Sequence, residues 1–247
     1  MADIGQSISG KISPKTFGRD CRRRYSLARP YGNRPPRRYF LIICEGEKTE
    51  PNYFNAIAAK LPRVMVNHVT VRGFGRNPLG LIEEAKKEIK KRRSDGLPDY
   101  YYVWLVFDKD EISDSEFNRV IDEMPKLSDK KMSGCRSVAK WDCAWSNEAF
   151  ELWYVLHFCE QLGGAVSREK FQKMLEDCIR VNTAEKDYVY KKNDPGMFAR
   201  LERYTPDAIN RAERALRRQI ESGRKTWAEM NPATRIHELV RVLLAYL

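Results

Sequence analysis

The sequence predicts an α/β protein: a mainly parallel four-stranded sheet flanked by helices, preceded by a basic N-terminal arm and followed by a helical C-terminal extension. Three observations carry this. Between residues 38 and 146, short β-rich apolar runs alternate with segments of helical period. After residue 146 the period is helical throughout. Positive charge is concentrated before residue 39. The expected boundaries are 1–37 for the arm, 38–146 for the α/β part and 147–247 for the helical part.

The arm holds Gly5, Gly10, Gly18 and Gly32 and a proline- and arginine-rich run at 29–36, and sustains neither a helical nor a strand period. Order begins with RYFLIIC (38–44), a continuous apolar run of the kind buried on both faces of a parallel sheet. EGEKTE (45–50) is a turn. Pro51 suits the first turn of a helix capped by Thr49 or Glu50 and running to about residue 60. VMVNHVTV (64–71) reads as a second strand and RGFGRNP (72–78) as a glycine-rich loop. Residues 79–93 place Leu79, Ile82, Ala85 and Ile89 on one helical face opposite a basic one. YYVWLVF (101–107) is a third buried strand ending at Asp108, and 113–124 a helix with a capping signal. Residues 136–141 make a fourth strand. Helices are expected at 147–161, capped by Ser146, and at 167–180, 206–222 and 233–247. Right-handed crossovers place helices on both sheet faces.

Of 247 residues, 42% are hydrophobic and 32% charged, a profile that folds. The longest apolar runs are too short to span a bilayer, and the N-terminus lacks the apolar core of a signal peptide, so the expected location is the cytoplasm, without a membrane partner. The six cysteines include no C-x-x-C pair, which argues for reduced, buried thiols and against a zinc module. Net charge is +11, and residues 1–38 carry ten Lys or Arg against two Asp, leaving only +3 for the rest. Arg22, Arg23, Arg24, Arg29, Arg34 and Arg37, interleaved with tyrosines, are candidate contacts to a nucleic acid. A solvated tail is the bland alternative.

In open parallel sheets, ligand chemistry gathers at the carboxyl ends of the strands. Here the first strand runs into Glu45-Gly46 and the third into Asp108-Lys109-Asp110. Turns after both would project Glu45, Asp108 and Asp110 toward one spot. Clustered carboxylates repel unless a proton or cation intervenes. A hard divalent ion such as Mg2+ (or Mn2+) is the natural counter-charge. The alternative is ordinary loop and capping carboxylates.

With these residues in view, the sequence resembles the Toprim domain over roughly residues 38–145. That family carries Glu-Gly after its first strand and D-x-D after its third. More narrowly, the whole chain is similar to the RloB, or AbiLii-like, family. The matching stretches are CEGEKTEPNYF (44–54), VFDKDE (106–111), SNEAFELWYVLHF (146–158), NPATRIHELV (231–240) and the R-P-x-G-x-R approach at 29–34. The resemblance implies a Toprim nuclease-like role in bacterial defence against phage and association with an ABC-type ATPase.

On the helix expected from residue 147, Asn147 and Glu151 are four apart and share a face. Glu151 is a candidate fourth member of the site, catalytic and metal-holding together with Glu45, Asp108 and Asp110. His157, His68 and His237 read as structural. Lys48 is the candidate cation beside a scissile phosphate, and Arg72 and Arg76 are candidates for holding phosphates. The function so expected is metal-dependent phosphodiester hydrolysis in RNA or DNA, with Glu45 as base or ligand. The rival from another class is a nucleic-acid-binding or regulatory subunit of an ATPase complex. The sequence leaves homo-oligomerisation open.

Overall fold

A computed structural model describes residues 38–62, 69–75, 77–110, 112–132, 135, 139–160, 164 and 166–246. The arm arginines Arg22, Arg23, Arg24, Arg29, Arg34 and Arg37, together with Arg76, His68, residues 64–68 of the second expected strand and 136–138 of the fourth, lie outside the described residues.

The chain order is β1 (Phe40–Cys44), α1 (Thr49–Lys60), β2 (Val69–Gly73), α2 (Pro78–Ser94), β3 (Tyr102–Asp108), α3 (Asp114–Ser128) and β4 (Lys140–Asn147). It continues with α4 (Glu151–Val155), α5 (Arg168–Asn182), α6 (Met197–Leu201), a 3-10 turn at Glu202–Tyr204, α7 (Thr205–Glu221), β5 (Ala233–Thr234) and α8 (Ile236–Leu244). The sheet order is β2-β1-β3-β4-β5. The first four strands are parallel, and β5 runs antiparallel to β4 through Ser146–Thr234 and Asn147–Ala233.

The strand side chains explain the two layers. Phe40, Ile42, Cys44, Tyr102, Trp104 and Val106 point to one face, where α1, α4, α5, α6 and α8 cover them. Leu41, Ile43, Val103, Leu105 and Phe107 point to the other, covered by α2 and α3. Alternate residues therefore enter different cores, yet both are apolar, which is why β1 and β3 read as unbroken hydrophobic runs. The α7 helix contributes Ala208 and Ala212 to the first core and Leu216 to the second. Residues before and after position 147 thus share the same cores.

Helix starts follow sequence chemistry in two cases. Asn77 Oδ1 accepts from the Gly80 amide at 2.9 Å and Ser113 Oγ from the Glu116 amide at 3.3 Å. Three expectations are corrected. The α1 N-cap position is Lys48, without a side-chain cap; the Thr49 hydroxyl instead donates to Asn193 Oδ1 at 2.8 Å. Ser146 is a buried strand residue rather than a helix cap, sharing a 3.0 Å hydrogen bond with the Thr234 hydroxyl. The fourth strand therefore extends to Asn147, and the helix after it covers only Glu151–Val155. Residues 233–234 pair with β4 before the last helix starts, making a fifth strand where four were expected. Long-range pairing won over local helical period in both places.

Cys44, Cys135 and Cys143 are buried free thiols, as expected; Cys159 and Cys178 are free and half-buried. Among the described residues, no helix is long and apolar enough to cross a membrane.

Candidate functional site

Strand order reverses direction between β1 and β3: the chain moves outward from β1 to β2, then returns across β1 to β3. The carboxyl ends of these two neighbours flank a crevice, the usual ligand position in an open α/β sheet. The crevice is lined by Glu45 to Glu50, Asp108, Asp110, Phe150, Glu151, Arg168, Lys192 and Asn193, and encloses about 430 Å3.

Glu45 and Asp108 meet directly. The Asp108 amide donates to Glu45 Oε2 at 3.1 Å, while the Glu45 amide continues the sheet by bonding the Val106 carbonyl. Asp108 Oδ2 in turn accepts from the Phe150 amide at 3.1 Å. In the D-K-D segment, Lys109 turns away to Asp114 at 3.0 Å, which leaves both aspartates to the crevice. Asp110 has φ +26°, a strained value for a residue with a Cβ. Its amide is tied to the Glu148 carbonyl.

Glu151, at the start of α4, is fixed by Gln172 Nε2 and Tyr190 OH, both 3.1 Å from Oε1. Side-chain exposure grades from 5% at Glu151 through 11% at Asp108 to 41% at Asp110, so Asp110 stands at the mouth and the other two at the floor.

Two participants escaped the sequence reading. Glu50, in the first turn of α1, is buried, and its Oε2 has no hydrogen-bond partner. Gly46 makes room for it: a Cβ there would stand 2.0 Å from Glu50 Oε2. The clue in the sequence was a second acid in E-G-E-K-T-E at a helix N-terminus, which the dipole favours. Arg168, first residue of α5, places Nη2 3.1 Å from Asp108 Oδ2 and 3.0 Å from Asp110 Oδ2, with Nε 4.0 Å from Glu151 Oε2. Sixty residues separate it from Asp108, and no local pattern marked it.

The electrostatics follow from crowding. Six carboxylates line the crevice against Lys48, Arg168 and Lys192. Burial raises the Glu45 carboxyl to about 7, with Glu50 and Asp110 adding to it and the Asp108 amide opposing. Burial, then Glu50 and Glu151, pushes Asp108 well above the usual carboxylate range. Glu50 is raised as well, chiefly by burial. The surrounding acids hold Arg168 firmly cationic against its own desolvation.

Among the described residues, no three His, Cys, Asp or Glu side chains converge into a ready metal-ligand set. The Arg168 guanidinium lies between the acids instead. The donor set nevertheless suits a hard divalent ion: carboxylate oxygens in excess over cations, one of them buried and unpartnered.

Of the residues singled out by sequence, Glu45, Lys48, Asp108, Asp110 and Glu151 share the crevice. Arg72 does not: its guanidinium sits over Glu88 at 3.9 Å, and a second nitrogen returns to the Val71 carbonyl. Asn147 is also elsewhere, buried and donating to the Ala228 carbonyl at 2.9 Å. Its expected pairing with Glu151 on one helical face fails because it is the last residue of β4. His157 and His237 are buried, each with Nδ1 on a backbone carbonyl.

Fold and crevice define an α/β protein with an acid-lined site at the carboxyl rim of a mainly parallel sheet. The family model described as RloB-like protein matches residues 40–243, and the chain belongs to that family. Comparison with curated proteins and with solved structures gives no match.

Proposed function

We propose that this RloB-like protein is a Toprim-type, divalent-metal-dependent endonuclease that hydrolyses phosphodiester bonds in RNA or DNA. The observation that carries the reading is the 3.1 Å hydrogen bond from the Asp108 amide to Glu45 Oε2. It joins the acid after β1 to the acidic pair at the end of β3 in one crevice. Glu45, Asp108, Asp110 and Glu151 would hold magnesium or manganese, with Glu50 beside them. When bound, such an ion aligns a phosphodiester, polarises its oxygen and lowers the pKa of a coordinated water.

The chain's own groups supply the rest. Where it does not ligate the ion, the Glu45 carboxylate at the crevice can instead take a proton from an attacking water. Lys48 and Lys192 line the crevice and offer ammonium groups to the phosphate and the developing charge. Gln172 and Tyr190 keep Glu151 oriented. The role in defence against phage and the ABC-type ATPase partner rest on the family resemblance. The arm's arginines support nucleic-acid binding through charge alone.

One observation favours a second reading, a non-catalytic regulatory subunit of an ATPase complex: Arg168 already occupies the space among the acids. Incubating the purified chain with Mg2+ or Mn2+ and end-labelled tRNA, mRNA and DNA decides between them. The nuclease reading expects cleavage by the wild type and a loss of about 100-fold or more in Asp108→Ala. Binding without cleavage under all these conditions would leave the regulatory reading.

A further inference from the structure

We infer that Arg168 is the resident counter-cation of the crevice and competes with a divalent ion for the notch between Asp108 and Asp110. The inference rests on the metal-dependent reading above and adds a residue which opposes loading. One guanidinium nitrogen, Nη2, bridges Asp108 Oδ2 and Asp110 Oδ2 at 3.1 and 3.0 Å, and Nε faces Glu151 Oε2 at 4.0 Å. A single cationic group therefore addresses three of the acids expected to hold the ion.

Local helix chemistry does not explain this position. Arg168 opens α5, where the positive end of the helix dipole disfavours a cation. Its acidic neighbours account for it instead. Nor is Arg168 a fully satisfied structural ion pair. Nε is buried without a hydrogen bond, because 4.0 Å to Glu151 is a Coulombic contact only. Meanwhile 27% of the side chain is exposed, so Arg168 is not locked inside the core.

An arginine cannot be neutralised near physiological pH. An incoming ion must therefore displace the guanidinium rather than discharge it. A monovalent cation brings no more charge than Arg168 already supplies, whereas a divalent ion brings twice as much to the same oxygens. The crevice accordingly discriminates by charge before it discriminates by size. Once displaced, the guanidinium keeps its charge at the crevice wall, as a donor fork matched to phosphate oxygens.

The test is binding of Mn2+ alone to the full, chelator-treated chain, following free Mn2+ by electron paramagnetic resonance. Arg168→Gln is expected to bind Mn2+ about tenfold tighter than the wild type or better. Arg168→Lys, which keeps the charge but loses the fork, is expected to fall between them. In the absence of metal, Arg168→Gln should melt below the wild type, and Mn2+ should raise its melting temperature by more. Equal or weaker Mn2+ binding in a natively folded Arg168→Gln overturns the inference. If that variant does not fold, Arg168→Lys binding no tighter than the wild type overturns it equally. Cleavage by the wild type separates the two claims. A cutting wild type with unchanged Mn2+ affinity in the variants sinks the competition only; tighter binding in the variants without any cutting sinks the nuclease reading only.

Discussion

Glu45 sits where a carboxylate is expensive to ionise: burial first, with the Glu50 and Asp110 carboxylates adding to it, moves its carboxyl from the usual 4.5 to about 7. The linked stability has a definite sign. Because the folded value lies above the unfolded one, Glu45 contributes stability below about 4.5, and that contribution disappears as pH rises through about 7. In chelator, Glu45→Gln should therefore match the wild type in acid and exceed it above pH 7, by on the order of 1–2 kcal/mol after allowing for partial solvent exposure. Denaturant titrations at several pH values measure the gap; a constant gap across pH would contradict the assignment. Glu50 illustrates the same physics from a different position. Its orphaned oxygen is accommodated only because residue 46 lacks a Cβ. Gly46→Ala is expected to shift the Glu50 carboxylate and weaken Mn2+ binding severalfold, read by the same resonance titration.

Elements position these residues through a few tight contacts. The end of β2 passes so close to the turn after β1 that a Cβ on Gly73 would stand 2.4 Å from the Gly46 carbonyl and 2.7 Å from Glu47 Cα. Both neighbours are backbone, so Gly73→Ala should cost about 1–3 kcal/mol in thermal or denaturant unfolding. At the other edge, the Thr234 hydroxyl ties β5 to β4 by donating to the Trp145 carbonyl and accepting from the Ser146 hydroxyl. Thr234→Val keeps the shape but strands these buried groups, and should lower stability by about 1–3 kcal/mol. The loop after α5 is clamped to the start of α1: Thr49 and Asn52 hydrogen-bond the side chain and carbonyl of Asn193. Asn193 has φ +69°, and the clamp places Lys192 on the crevice wall opposite β3.

Across the whole molecule, charge and core are distributed differently. The core draws on both sides of position 147, with β1, β3, α1, α4, α5 and α8 packing as one cluster. The charge is carried largely by the arm: removing residues 1–37 takes away nine basic and two acidic residues and leaves +4 of the original +11. If the arm supplies the nucleic-acid contacts, truncation should weaken binding at low salt. It should also flatten the salt dependence by up to roughly 5 units of slope, about 0.9 for each of the six arginines that contacts a phosphate. Filter binding at several salt concentrations measures both; an unchanged slope would move the contact surface elsewhere.

The sequence by itself determined the β1–α1–β2–α2–β3–α3–β4 succession, the two-sided burial of β1 and β3, and three acids at their carboxyl ends. Each of these is written in local composition, period and turn chemistry. It did not determine that Ser146 ends up inside a strand, that residues 233–234 complete the sheet, or that Arg72 and Asn147 stand away from the crevice, since those outcomes depend on pairing across dozens of residues. Only the tertiary structure decided that Arg168 would settle among the acids and that Gly46 would leave space for Glu50. The physical reason is that a buried charge must find its counter-charge wherever the fold brings one within a few ångströms, and sequence distance carries no information about that.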